Sequence, residues 1–441
     1  MAPPVLQMVV SRLSPRLAYA AGLIFDQLLG IPFIMTEREV EGLPSVNYSS
    51  QALPGAFRIP HTGLTEAIGC HPVDPYVHPD EGLPLLFFTQ ENPADFDLPF
   101  DIFSATFFLV TEYEKWAAPR FDRHERYDPP TYRHHREAWY AQPLVHLYAQ
   151  RLRAALLRFF PQLKALPMPG NSFDFEITFD LDFPWKYRHK PFFVQIGGFV
   201  KDLIRGRFSS LRERTAALLT GHDPYFTFDQ LFAHFPPEKT RFFFLIDHHS
   251  PHDSRFTWRL PALRKLILDI RNRGYALGIH PSYMSFRDPA MIRTETEALR
   301  QLTGSDISAS RQHFLRYRLP ETFRTLLDLG IRHEYSLCAF HTGGFSTGMA
   351  APYPWYDLET EQATPLMLHP TLLMDRSLEA YLRVAPGDVA AHFDRWIEAT
   401  KAVGGLFTLL LHNDCLSESG EWKGWREPVL SAMQALLKAK N

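Results

Sequence analysis

The 441-residue sequence predicts an α/β chain: a (β/α)7-type distorted barrel preceded by a smaller α+β domain. Beyond about residue 172, short apolar strands alternate with amphipathic helical patterns, the signature of parallel strands joined by helical crossovers. About seven such strands in roughly 270 residues fit a closed or nearly closed barrel better than an open sheet, and no Gly-x-Gly-x-x-Gly or P-loop sequence supports a nucleotide fold. Finally, two prolines and a glycine in residues 163–171 break a helical pattern from a strand pattern, dividing the chain into residues 1–166 and 172–441.

Before the break, helices are expected over Leu13–Leu29, Ile102–Trp116 and Ala141–Phe160, and a short strand over Leu85–Phe88. After it, expected strands are Phe173–Phe179, Arg241–Ile246, Ala276–Ile279, Arg311–Phe314, His333–Leu337, Pro365–Leu368 and Leu406–Leu411. Helical patterns fall between them at Leu260–Arg273, Ala290–Leu302, Pro320–Leu329 and Gly387–Val403, with a last one over Pro428–Leu437.

A 45% hydrophobic, 22% charged composition is that of a globular protein with ample core. A net charge of -3 gives no field to collect phosphates, so no nucleic-acid partner is expected. The basic stretch Arg205–Arg214 reads as a solvated helix face. Cys70, Cys338 and Cys415 are too scattered for a disulfide framework or a cysteine metal site. Neither a signal-peptide pattern nor an apolar run of about 18 residues is present, so a cytoplasmic location without stable membrane insertion is expected.

Residues with chemical potential gather just after the strands: Asp180 and Asp182, Asp247 to His249, His280, His369, and His412 with Asn413. Sites of α/β barrels are built at those carboxyl ends, from several strands at once. Along Phe173–Asp182, alternation points Asp180 and Asp182 the same way, within about 7 Å of each other. Two carboxylates so close call for a cation, or else for partners such as Lys186 and Arg188.

Thr178-Phe-Asp-Leu-Asp182 resembles the first motif of the polysaccharide deacetylases, the NodB-like carbohydrate esterase family 4 group. Leu277-Gly-Ile-His280 resembles a later motif in which a histidine follows a strand, and Leu409-Leu-Leu-His-Asn413 resembles the last. The stretches Trp185–Pro191, Gly197–Leu203 and His313–Pro320 look like a divergent bacterial branch with an uncharacterised N-terminal domain. The resemblance implies metal-dependent removal of acetyl groups from a glycan or glycan precursor. It implies Asp180 as general base, Asp182 and His280 as metal ligands, and His412 as general acid. The metal is expected to be a divalent ion, zinc first, because a carboxylate-plus-imidazole set does not favour calcium.

One position departs from the pattern. Where the family places a second histidine, four residues after His280, stands Met284. His248 and His249 are the nearest substitutes, and His249 is taken as the third ligand; the other reading makes both exposed loop histidines. His313 and Arg316 fall roughly where the family keeps an arginine orienting the catalytic aspartate, or at a surface strand end. Both are taken with Trp185 and Tyr283 as substrate-binding candidates, the two rings either stacking on sugar or anchoring loops. Asp375 is a candidate support for a histidine. Two rival functions stay open: an inactive barrel that binds glycan or a polysaccharide-synthesis partner, suggested by Met284, and a metal-dependent hydrolase of a small cyclic amide.

Overall fold

The computed structural model describes residues 5–51, 53–165 and 172–438. Most of the expected linker, residues 163–171, lies outside them. The chain opens with the buried apolar run β1 (Leu6–Val10). Next comes a helix whose Ser14 cap accepts a hydrogen bond from the Leu17 amide at 3.1 Å and whose first residue, Pro15, has no amide to leave unpaired. That helix, Pro15–Ala21, runs on in wider π turns to Leu29 and stops at Gly30, whose φ of 59° a glycine adopts without strain. Strands β2 (Phe33–Thr36), β3 (Ser45–Tyr48) and β4 (Phe57–Arg58) complete a sheet of order β2-β1-β3-β4 in which every pairing is parallel. β5 (His78–Asp80) and β6 (Leu83–Leu85) form a separate hairpin. The N-terminal region is thus built around a parallel sheet that the α+β expectation does not contain. Helices Ile102–Val110 and Leu144–Phe159 fall where helices are expected.

The second sheet holds nine strands: β7 (Asp174–Leu181), β8 (Thr240–Phe244), β9 (Ala276–Ile279), β10 (Ala309–Ser310), β11 (His333–Glu334), β12 (Tyr353–Asp357), β13 (Gln362–Leu368), β14 (Leu373–Met374) and β15 (Leu406–His412). Their order is β12-β13-β11-β10-β9-β8-β7-β15-β14, and all neighbours are parallel except β12 and β13. Helices Pro261–Asn272, Pro289–Thr303, Glu321–Asp328, Val389–Lys401 and Arg426–Lys438 lie close to their expected bounds. A helical hairpin, Phe192–Ile204 and Phe208–Thr220, is inserted between β7 and β8.

The sheet is strongly curled. β7 and β10 are three strands apart, a separation of about 14 Å across a flat sheet. Yet the Arg311 guanidinium, just past β10, donates to Thr178 Oγ1 on β7 at 2.8 Å and to Thr371 Oγ1, ahead of β14, at 3.1 Å. Only curling brings those side chains together. A single parallel bridge, Cys338 with Thr371, spans from the end of β11 to the start of β14. The ladder itself ends at β12 and β14.

The N-terminal region packs into this sheet's surroundings with one continuous core. Buried Arg16 pairs with Glu361, the Tyr19 hydroxyl donates to the Pro354 carbonyl at 2.6 Å, and Tyr353 donates back to Val110 at 3.0 Å. Arg318 holds the loop around Glu125 through the Glu125 carbonyl at 2.6 Å. That anchoring carries Arg123 and Arg126 to the carboxyl ends of the strands.

Candidate metal and catalytic site

β7 delivers two acids to one place. Asp180, almost fully buried, accepts from Arg311 Nη1 at 2.9 Å. Arg311 is itself wholly buried, and its other N–H groups go to the Tyr335 carbonyl at 3.1 Å, Thr178 and Thr371. A guanidinium held by four acceptors is a rigid fork, so it fixes the Asp180 carboxylate and compensates its charge.

Asp182, two residues on, is free of that clamp. Its Oδ1 is buried without a hydrogen-bond partner and faces His280 Nε2 at 3.3 Å; its Oδ2 faces His313 Nε2 at 3.4 Å. Burial alone would raise this acid's pKa, but His313 and His280 hold it well below the usual carboxylate range. Both rings are oriented from behind. His280 Nδ1 lies 2.6 Å from the Arg311 carbonyl, an acceptor that requires the proton on Nδ1. His313 Nδ1 lies 3.1 Å from Asp253 Oδ1. Each ring therefore turns its Nε2 lone pair inward when neutral, the backing that imidazole metal ligands receive.

These residues fit a divalent cation. One ligand atom each from Asp182, His280 and His313 lie within 4.8 Å of one another, and two of the buried atoms there, Asp182 Oδ1 and His313 Nε2, have no hydrogen-bond partner among the described residues. Without a cation, burial would lower the His313 pKa, but Asp182 and Asp253 push it up to about 9. Asp253, despite burial, is pulled down to about 2 by His313 and by the Tyr283 amide.

His412, the last residue of β15, also faces Asp182, Nε2 to Oδ2 3.7 Å. Asp375 holds it twice: Oδ1 lies 2.8 Å from the ring Nδ1 and Oδ2 accepts from the backbone amide at 2.6 Å. Burial opposes protonation, but Asp375, Asp182 and Asp180 together raise the His412 pKa to about 10. The arrangement sets a clamped carboxylate, a three-residue cluster and a protonated imidazole along one cleft of about 470 Å³. Arg123 and Arg126, from the N-terminal region, line the same cleft.

Of the residues that the sequence singles out, Asp180, Asp182, His280, His313 and His412 all line this cleft. His313, singled out as a substrate contact, lies with Asp182 and His280 in a group that could hold a metal ion. His249 is not in the cluster: it sits in a loop, with Nε2 3.5 Å from Glu295 and 3.7 Å from Asp247. Met284 is 46% exposed and takes no part. Trp185 is buried against Phe226 and Phe256, so its faces are not open to a sugar. Tyr283 is likewise enclosed, with the Arg316 guanidinium 3.6 Å from its ring and its hydroxyl 3.1 Å from His124 Nδ1. Arg316 is spent on Tyr283 and Phe286; the arginine that orients Asp180 is Arg311.

Arg311 and Asp253 escape the sequence reading. A signal for Arg311 exists: in Ala309-Ser-Arg-Gln-His313 the residues Ala309, Arg311 and His313 share one face at period two. The backbone then reverses through Phe314 and Leu315, both at positive φ, a conformation costly for such side chains and invisible in the sequence. No local pattern points to Asp253, whose role depends on a ring 60 residues away.

Residues 6–161 match the model of a family of unknown function, DUF7033. No curated protein matches the chain. Among solved structures, a Mycobacterium smegmatis protein described as a polysaccharide deacetylase is similar at 15% identity, covering 60% of this chain and 85% of its own, with a TM-score of 0.38. Puue allantoinase is similar at 11% identity, with coverages of 61% and 86% and a TM-score of 0.40. A Pseudomonas aeruginosa PAO1 protein described as a polysaccharide deacetylase is similar at 12% identity, with coverages of 60% and 86% and a TM-score of 0.38.

Proposed function

We propose that residues 172–441 form a distorted (β/α) barrel of the polysaccharide-deacetylase type, and that the chain is a metal-dependent hydrolase removing acetyl groups from a glycan or glycan precursor. Residues 1–166 form an N-terminal module that shares its core with the barrel and closes one side of the cleft through Arg123 and Arg126. The observation that carries this reading is the convergence of Asp182, His280 and His313, with both rings backed at Nδ1, in the cleft that Asp180 and His412 also line.

Asp182, His280 and His313 would hold the cation, zinc being favoured by two imidazoles and one carboxylate. When bound, it supplies Lewis acidity, polarising an acyl carbonyl and acidifying an adjacent water. Asp180, clamped by Arg311, takes the proton from the attacking water. His412, kept protonated by Asp375, gives a proton to the departing amine or alkoxide. A base for the attacking water and an acid for the leaving group are what acyl transfer needs. The inactive-barrel alternative draws on Met284, and His313 offers the imidazole that Met284 lacks.

The test combines metal content with product release. Purified chain should carry about one zinc or other first-row ion, absent from an Asp182→Ala/His280→Ala variant. Acetate should be released from an acetylated oligosaccharide panel by the wild type and not by Asp180→Asn. A chain that stays metal-free in excess zinc overturns the reading. Turnover of cyclic ureides without acetate release would replace the glycan substrate with a small cyclic amide.

A further inference from the structure

The hairpin between β7 and β8 is built inside out. Its two helices meet through polar groups: Arg214 donates to Asp202 at 2.8 Å and to Gln195 Oε1 at 3.3 Å, and all three are buried. Gly198 leaves the room this contact needs, since a Cβ there would sit 2.5 Å from the Arg214 guanidinium. The apolar residues face outward instead. Phe192, Phe193, Ile196, Val200, Leu203 and Ile204 are 48–79% exposed, and at 100° per residue they occupy a single arc of about 120°. On the second helix Phe208 is 70% exposed and Leu219 81% exposed. Nine of the 22 large apolar side chains exposed among the described residues lie in this hairpin. Such concentration marks a surface that meets something.

Charge identifies the partner. Residues 186–220 hold eight lysines or arginines against two acids, a local net of +6 in a chain whose net charge is -3. Both acids are already paired, Asp202 with Arg214 and Glu213 with Lys186. Lys201, Arg205, Arg207 and Arg212 are exposed and have no ion-pair partner among the described residues. On the helical wheel Lys201 lies about 60° beyond one edge of the apolar arc, and Arg205 follows the last turn of the helix. A second copy of the chain would bring +6 against +6. An apolar stripe in a hairpin that also carries unpaired cations is instead the composition of a segment lying in the interface of an anionic bilayer.

We propose that the Phe192–Thr220 hairpin docks the protein on the surface of a membrane carrying anionic lipid, the apolar arc entering the headgroup boundary and the cations remaining at the phosphates. This is lying on the membrane, not crossing it: among the described residues no helix is long and apolar enough to span one. The hairpin leaves the curled sheet from the end of β7 that carries Asp180 and Asp182, and is tied there by Lys186 with Glu213 and by the Tyr187 amide to Asp223 at 2.8 Å. The inference does not depend on the hydrolase reading.

The test is co-sedimentation of the full chain with vesicles of phosphatidylcholine alone or mixed with phosphatidylglycerol. Binding is expected only with phosphatidylglycerol and should weaken as salt is raised. The variant Lys201→Glu/Arg205→Glu/Arg207→Glu should bind roughly a hundredfold more weakly, each cation beside an anionic surface counting for about fivefold. Phe193→Ser/Ile204→Ser, which touches only exposed positions, should lose about tenfold or more at an unchanged melting temperature. A folded wild type left in the supernatant with anionic vesicles overturns the proposal, and so does equal binding to neutral ones. A wild-type dimer that the serine variant dissociates, with no vesicle binding, would assign the surface to a second copy.

Discussion

Asp253 stands directly behind His313: its Oδ1 lies 3.1 Å from Nδ1 of the ring whose Nε2 lies 3.4 Å from Asp182. A carboxylate in that position sets the tautomer and raises the basicity of the facing nitrogen. Asp253→Asn should therefore weaken zinc binding about 10- to 100-fold, measured by competition with a chromogenic chelator. An unchanged affinity would show that His313 needs no such backing, and would count against its place as a ligand.

The identity of the third ligand is separately testable. His313→Ala should remove the metal from the purified protein, whereas His249→Ala should leave metal content unchanged, because His249 faces Glu295 and Asp247 outside the cluster. Metal retained by the first variant and lost from the second would restore the loop histidine.

Asp375 holds His412 at both its ring nitrogen and its amide, and is the foremost of the charges that raise its pKa. A group raised in this way is protonated below its folded pKa and loses the proton as pH rises through it. Removing the carboxylate with Asp375→Asn should bring that alkaline limit down toward the ordinary imidazole value. The pH–rate profile should then fall off at lower pH, with kcat reduced about 10²- to 10⁴-fold and KM little changed. A uniform loss without movement of the alkaline limb would leave Asp375 a purely structural support.

Legibility in the sequence follows the range of the interactions. β7, β9 and β15 are readable because their apolar runs are local, and the motif residues Asp180, Asp182, His280 and His412 stand at the ends of these runs. β10 begins two residues earlier than its sequence pattern suggests: its ladder is only Ala309–Ser310, and the chain turns off it at His313. That shift conceals which arginine enters the interior, so the sequence points to Arg316 where Arg311 acts. Whether Trp185 and Tyr283 stack on sugar or anchor loops stays open in the sequence because loop membership says nothing about burial, which phenylalanines and an arginine distant in sequence decide. The inverted hairpin at residues 192–220 is legible only as a basic stretch, since the side of a helix that meets the protein is not written in its periodicity.

The interior beneath the site holds an acid whose titration should be visible in stability. Glu334, on β11, is fully buried; its Oε1 accepts from the Ser336 amide at 2.9 Å. Burial, against the pull of the Ser336 bonds and Arg311, raises its pKa to about 7. For an acid raised above its unfolded value, the folded state keeps a proton that the unfolded chain releases. Stability therefore falls as pH climbs from the ordinary glutamate range through about 7, then levels off. Glu334→Gln preserves the shape and the acceptor for Ser336 but does not titrate. Its stability relative to wild type should be near zero close to pH 4 and should grow to on the order of 3 kcal/mol by pH 8. Thermal melts across that range would show the two curves diverging. A constant offset at every pH would mean that Glu334 stays charged in the folded state, with Arg311 compensating it alongside Asp180.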